Sequence, residues 1–138
     1  MIVRNLREMD NTDRAVQAPN GNWVSRRFLL KSDGMGFSMH DTLIRGGTET
    51  LMWYKHHLEA VYCVCGRGEI EDLDTGEVHA IEDGTLYALN GHERHRLRAF
   101  EDMRMICLFN PPLTGQEVHT EEGYYPADPE LSMKGASL

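Results

Sequence analysis

An all-β fold, a small closed barrel of the jelly-roll kind with one or two short helices, is what this sequence predicts. Three observations carry that reading. From Trp23 onward, short runs rich in β-branched and aromatic residues recur at intervals of about 8–12 residues. Gly, Asn and Asp separate them, the residues that supply the positive φ of tight hairpins. The chain has 138 residues, enough for one domain that closes around a pocket.

Taken in order, the stretch from Glu8 to Val16 is the main candidate for helix, one turn or two. Strands are then expected at 25–31, 36–45, 50–56, 59–64, 68–72, 77–81, 85–89, 95–99 and 103–109, with turns at 32–34, 45–47, 72–76, 82–84 and 90–91. Pro111 and Pro112 stop the last strand, because proline cannot donate to a ladder. The barrel domain is placed at 1–125. Thr114-Gly115, Glu117-Val118-His119 and Gly123-Tyr124-Tyr125-Pro126 lie in a tail that either caps the barrel mouth or trails in solvent. Residues 126–138 read as a flexible end.

Composition narrows the function. Charged residues make up 26% and the formal net charge is −8, which argues against nucleic acid, since phosphate binding needs clustered Lys and Arg. No apolar run is long enough to span a membrane, and the N-terminus lacks the apolar core of a signal peptide. Three cysteines without disulfide spacing suit the reducing cytoplasm.

The chemistry-bearing residues fall on a spacing frame. Gly66 follows Glu59 by seven positions and His95 follows Gly84 by eleven, with seventeen residues between the two glycines, room for one hairpin. These intervals resemble the two motifs of cupins, barrels in which a glutamate and a late histidine hold one metal ion. An ordinary cupin adds histidines four and six residues before the glutamate. Here Lys55 and Trp53 stand there, and neither suits a metal. His56 and His57 are near, but on an extended strand only one of them faces inward. Thr85, Tyr87 and Leu89 share a face. With that face inward, Glu59, Tyr87 and His95 offer two oxygens and one nitrogen with open positions, a set that suits iron(II) or manganese and tolerates zinc. Each has a plainer reading: a surface carboxylate, a core aromatic, a loop histidine. Cys63 and Cys65, sharing a face at period two, are read as packing.

Longer stretches carry a closer resemblance. Met1-Ile-Val-Arg-Asn-Leu6, Asn20-Gly-Asn-Trp23-Val-Ser25-Arg-Arg27, Tyr54-Lys-His-His57-Leu-Glu59-Ala-Val-Tyr62-Cys63, Gly84-Thr-Leu-Tyr87 with Gly91-His-Glu-Arg-His95, and Leu113-Thr-Gly115-Gln-Glu117-Val-His119 are similar to ectoine synthases, nearly end to end to about Tyr125. The resemblance implies a cytoplasmic homodimer that uses Fe(2+) and closes N4-acetyl-L-2,4-diaminobutyrate into ectoine, a compatible solute made under osmotic stress. It implies Glu59, Tyr87 and His95 as iron ligands, and Trp23, Ser25, Arg27, Thr42, Tyr54, Cys107, Phe109, Glu117 and His119 as pocket residues. Two departures stand beside the site: Arg67 between the glycines, where relatives carry an acid, and Met52-Trp53 in place of a more polar pair.

Ring closure by amine attack on an amide needs a polarised carbonyl, a base and a dry site. Tyr54, Glu117 and His119 are the candidate bases, with His119 nearest neutrality. Glu117 and His119 share one face of an extended tail, so both could enter the barrel together. Trp23 and Phe109 would give apolar wall, while Ser25, Thr42 and Arg27 would fix the substrate's carboxylate and amine. The competing readings are a cupin dioxygenase or isomerase, against which the two missing histidines count, and a non-catalytic small-molecule sensor.

Overall fold

The computed structural model describes residues 1–121 and 123–130. The first element is a single turn of helix, α1 (Leu6–Met9). Asn5 caps it by accepting from the Arg7 N–H while Glu8 reaches back to the Asn5 N–H. Asn11, at φ 62, turns the chain out of the helix. The helix expected over 8–16 therefore ends at Met9, and Ala15–Gln17 forms strand β1 along β2 (Trp23–Leu29).

A 3-10 turn (Lys31–Asp33) follows, then β3 (Ser38–Ile44), β4 (Glu49–Met52), β5 (Leu58–Cys65), β6 (Gly68–Asp72), β7 (Val78–Ile81), β8 (Leu86–Leu89), β9 (His95–Ala99) and β10 (Met103–Asn110). They form two antiparallel sheets, β1-β2-β3-β10-β5-β8 and β4-β9-β6-β7. The all-β expectation holds, and the β6–β7 hairpin fills the interval between Gly66 and Gly84. The strand expected over 50–56 stops at Met52, because the Trp53 N–H pairs with the Gly123 carbonyl of the tail at 2.9 Å.

Alternation decides which side chains meet inside. Trp23, Ser25 and Arg27 on β2, His40, Thr42 and Ile44 on β3, Glu59, Val61 and Cys63 on β5, His95, Leu97 and Ala99 on β9, and Met105, Cys107 and Phe109 on β10 are all buried. Cys65 breaks the pattern. The register of β5 against β10 shifts between Arg104 and Met105, and this bulge leaves Cys65 exposed while Cys63 is buried, so the two thiols do not share a face.

The frame glycines have backbone reasons. Gly66 sits at φ 116, and a Cβ there would lie 2.5 Å from the Asp102 carbonyl oxygen; Gly84 turns at φ 88. Beyond β10 the tail folds back over one end of the barrel. Leu113 is fully buried, donating its N–H to Ser38 Oγ at 3.0 Å and accepting from the Lys31 N–H at 2.9 Å. Packing continues past Tyr125: Asp128 is buried and pairs with Lys31 Nζ at 2.5 Å. The rest of the expected flexible end, 131–138, lies outside the described residues. Among those described, no helix is long and apolar enough to cross a membrane.

Candidate active site

The inward faces enclose a cavity of about 30 Å³, space for about two water molecules at most. Eight of the sequence-derived site residues line it: Trp23, Thr42, Tyr54, Glu59, Tyr87, Cys107, Phe109 and His119. They come from β2, β3, β5, β8, β10, the segment after β4 and the tail, so folding alone unites them. The cross-strand register explains part of this. Phe109 lies opposite Glu59, and Tyr87 opposite Val61, on the same inner face.

The tail closes the site. Tyr125 is buried and stacks on Tyr54 with ring centroids 5.2 Å apart. His119 packs 4.6 Å from the Tyr125 ring and 5.2 Å from Trp23, and its Nε2 is 2.9 Å from Tyr54 Oη. Burial, then the positive potential of His95 and Arg27, pushes His119 down to about 3. Burial also raises the Tyr54 phenol well above its ordinary value. With imidazole neutral and phenol protonated, this is a neutral hydrogen-bonded pair.

Arg27 and Glu117 are used differently from expectation. Arg27 is fully buried, but its Nη1 and Nη2 donate to the carbonyls of Gly115 and Glu117, each at 2.6 Å, and its guanidinium lies over Tyr125. It ties the tail down. The Glu117 carboxylate accepts the Thr114 and Gly115 N–H groups, both at 2.7 Å. Burial raises its pKa, but those bonds outweigh it and hold the carboxyl low. Glu117 thus braces the turn that carries His119 and does not line the cavity with it. Ser25 is buried behind the wall, between Arg27 and His40.

Glu59 is buried without an ion-pair partner among the described residues, and burial pushes its carboxyl up to about 8, only partly offset by the Cys107 thiol. Tyr87 is raised by burial and then by Glu59. Tyr87 also borders a neighbouring pocket of about 430 Å³ between the sheets, which His95 lines. His95 holds its Nδ1 against the Glu93 carbonyl at 3.0 Å and leaves Nε2 buried without a partner. Of these two pockets, Glu59 lines the smaller, His95 the larger and Tyr87 both.

These features fit a cation. A buried unpaired carboxyl, a phenol beside it and an orphaned imidazole nitrogen are each costly alone and each satisfied by a positive ion. Among the described residues, no group of three or more His, Cys, Asp and Glu side chains is arranged as a metal site. The residues that stand at the two cupin-histidine positions pack together: Lys55 lies over the rings of Trp53 and Tyr124, 4.5 Å from each. Of the neighbouring pair, His57 is buried and His56 exposed. Sequence reading passed over His40 and Tyr125. His40 had a signal, a polar side chain two positions from Thr42 on one strand face; Tyr125 had only its place in a Gly-Tyr-Tyr-Pro run.

Residues 1–129 match the family model described as ectoine synthase. The chain is 63% identical over 126 residues to the L-ectoine synthase of Desulfosudis oleivorans, covering 91% of this chain and 96% of that protein. It is 58% identical to the L-ectoine synthase of Desulfatibacillum aliphaticivorans, covering 91% and 97%. The crystal structure of ectoine synthase from P. lautus superposes with a TM-score of 0.79 at 57% identity, over 83% of this chain and 80% of that one.

Proposed function

The chain belongs to the ectoine synthase family, and from that premise we propose how its barrel works. Its reaction, that of a hydro-lyase, closes N4-acetyl-L-2,4-diaminobutyrate into ectoine with loss of water. The observation that carries the reading is the Tyr54–His119 pair, 2.9 Å apart in an aromatic cavity of about 30 Å³.

The bookkeeping of protons gives that pair its task. The substrate's ammonium nitrogen becomes part of a cyclic amidinium that retains one of its hydrogens. The other two depart on the former carbonyl oxygen as water. No net proton is released, so the site must take protons from nitrogen and return them to oxygen. Tyr54 Oη, accepting from the amine while donating to His119 Nε2, makes such a loan possible. The substrate's own carboxylate brings negative charge into the cavity and favours the protonated His119. Trp23, Phe109 and Tyr125 hold the chain folded for ring closure and keep water from reversing it.

Glu59, Tyr87 and His95 would hold a divalent cation, Fe(2+) foremost with Mn or Zn as alternatives. When bound, it supplies a Lewis acid that polarises the amide carbonyl. Because the cavity as closed is far smaller than the substrate, entry requires its wall to open. Free thiols at Cys63, Cys65 and Cys107 support a reducing cytoplasm, and a homodimer is expected from the family likeness alone. Production of a compatible solute places the activity in the response to osmotic stress.

The test is turnover of N4-acetyl-L-2,4-diaminobutyrate by purified protein, followed by chromatography of the product. Ectoine formed without oxygen uptake supports the reading. Oxygen consumed with turnover would mean a dioxygenase, and binding without turnover a sensor.

A further inference from the structure

We propose that His40 is a further substrate-binding residue, a neutral imidazole whose Nε2–H donates to a carboxylate or carbonyl oxygen of the molecule in the cavity. This rests on the ring-closing reading above.

His40 lies on β3 opposite Arg27 on one side and Cys107 on the other, and its ring packs 5.2 Å from Phe109. It is buried and lines the cavity. Its Nδ1 is 3.2 Å from Ser25 Oγ. Its Nε2, on the far edge of the ring, is buried with no partner among the described residues. A polar atom left so in an apolar wall is costly unless something absent from the free protein satisfies it.

The proton on that ring can be placed. Ser25 Oγ accepts from Arg27 Nε–H at 3.3 Å, and its other partner is His40 Nδ1. If Ser25 also accepted from Nδ1, its own buried hydroxyl proton would have nowhere to go. Every group is satisfied when Ser25 donates to Nδ1, which puts the ring proton on Nε2. Burial, followed by the potentials of Arg27 and His57, keeps the ring well below its ordinary pKa, so it presents one N–H and no charge. A neutral imidazole used as a donor is an established catalytic device.

Among the substrate's polar groups, carboxylate and amide carbonyl can accept that N–H, whereas an ammonium cannot. Arg27, the residue whose type best suits a carboxylate, has Nη1, Nη2 and Nε all engaged by the tail and Ser25. His40 supplies a donor on the wall where Arg27 does not.

Two measurements test this. In iron-free protein with 15N-labelled histidine, long-range proton–nitrogen spectra should show His40 as the Nε2–H tautomer, and saturating N4-acetyl-L-2,4-diaminobutyrate should move its Nε2 resonance. In steady state, His40→Ala should raise KM tenfold or more with a smaller change in kcat and unchanged bound iron. His40→Gln, which sets an amide N–H near the Nε2 position, should recover most of that loss. An unmoved resonance at saturation, or parental KM in His40→Ala, would overturn the proposal while leaving ring closure standing. A shifted resonance in a protein that makes no ectoine would keep the His40 contact and remove the ring-closing reading.

Discussion

Glu59 and Asp41 are both buried carboxyl groups on the six-stranded sheet, and their surroundings drive them opposite ways. Asp41 is on the outer face of β3, and burial raises it. Arg104 and Arg26 reverse that with contacts at 2.6 and 2.7 Å and hold it charged. Glu59 faces the cavity with a thiol for company, and burial wins. A paired buried acid stabilises the fold; an unpaired one, retained in the interior, marks where an ion or substrate completes the structure. The same contrast separates Asp33, bound by Arg4 at 2.9 Å, from His119 with its neutral partner.

The comparison breaks if the two classes respond alike to substitution. The largest effect is expected at Glu59. Glu59→Gln should lower ectoine formation by about a thousandfold or more and remove bound iron, with a denaturant midpoint close to the parent's. Next come Tyr54→Phe and His119→Asn, each lowering kcat by about 100-fold or more with bound iron retained. Loss of iron in either would put them among the ligands and end the proton-loan assignment. Asp41→Asn should do the reverse of Glu59→Gln. Stability falls by about 2–4 kcal/mol, read by urea unfolding, because Arg26 and Arg104 lose their partner, and kcat stays near parental at 25 °C.

Asp33 provides the smallest effect and a pH axis. Its carboxyl is held at about 2 by Arg4 foremost, against an ordinary 3.8. A depressed carboxyl contributes stability that is complete above the unfolded value and is lost as pH falls through the folded one. Between pH 4 and 2 the parent should therefore lose on the order of 1 kcal/mol that Asp33→Asn does not, the figure kept small because Arg4 and Arg14 are partly solvated. An equal acid slope in both proteins would remove Asp33 from the account.

Local pattern made the barrel legible. The bounds expected for 68–72 and 95–99 are those of β6 and β9, because period-two alternation between turn residues needs no distant partner to be read. The one or two helical turns expected within 8–16 reduce to the end of α1 because Asn11 adopts positive φ and β2 offers Ala15–Gln17 an edge, neither visible in residue periodicity. The inward set on β2, β3, β5 and β10 was legible wherever alternation held. Long-range hydrogen bonds decided the remainder. Glu117 and His119 share a face in an extended chain, yet two backbone N–H groups capture the carboxylate and leave only the imidazole inside. Whether the tail capped the barrel depended on Arg27 reaching carbonyls almost ninety residues away in sequence.

The central claim is that Tyr87 joins Glu59 and His95 around one cation. Air-oxidised, iron-loaded protein tests it directly, since ferric iron bound by a phenolate absorbs visible light through charge transfer. The parent should show that band, with tyrosine vibrations enhanced in its resonance Raman spectrum, and Tyr87→Phe should lack both. A band that persists in Tyr87→Phe, or a parent that binds iron without one, would contradict the claim.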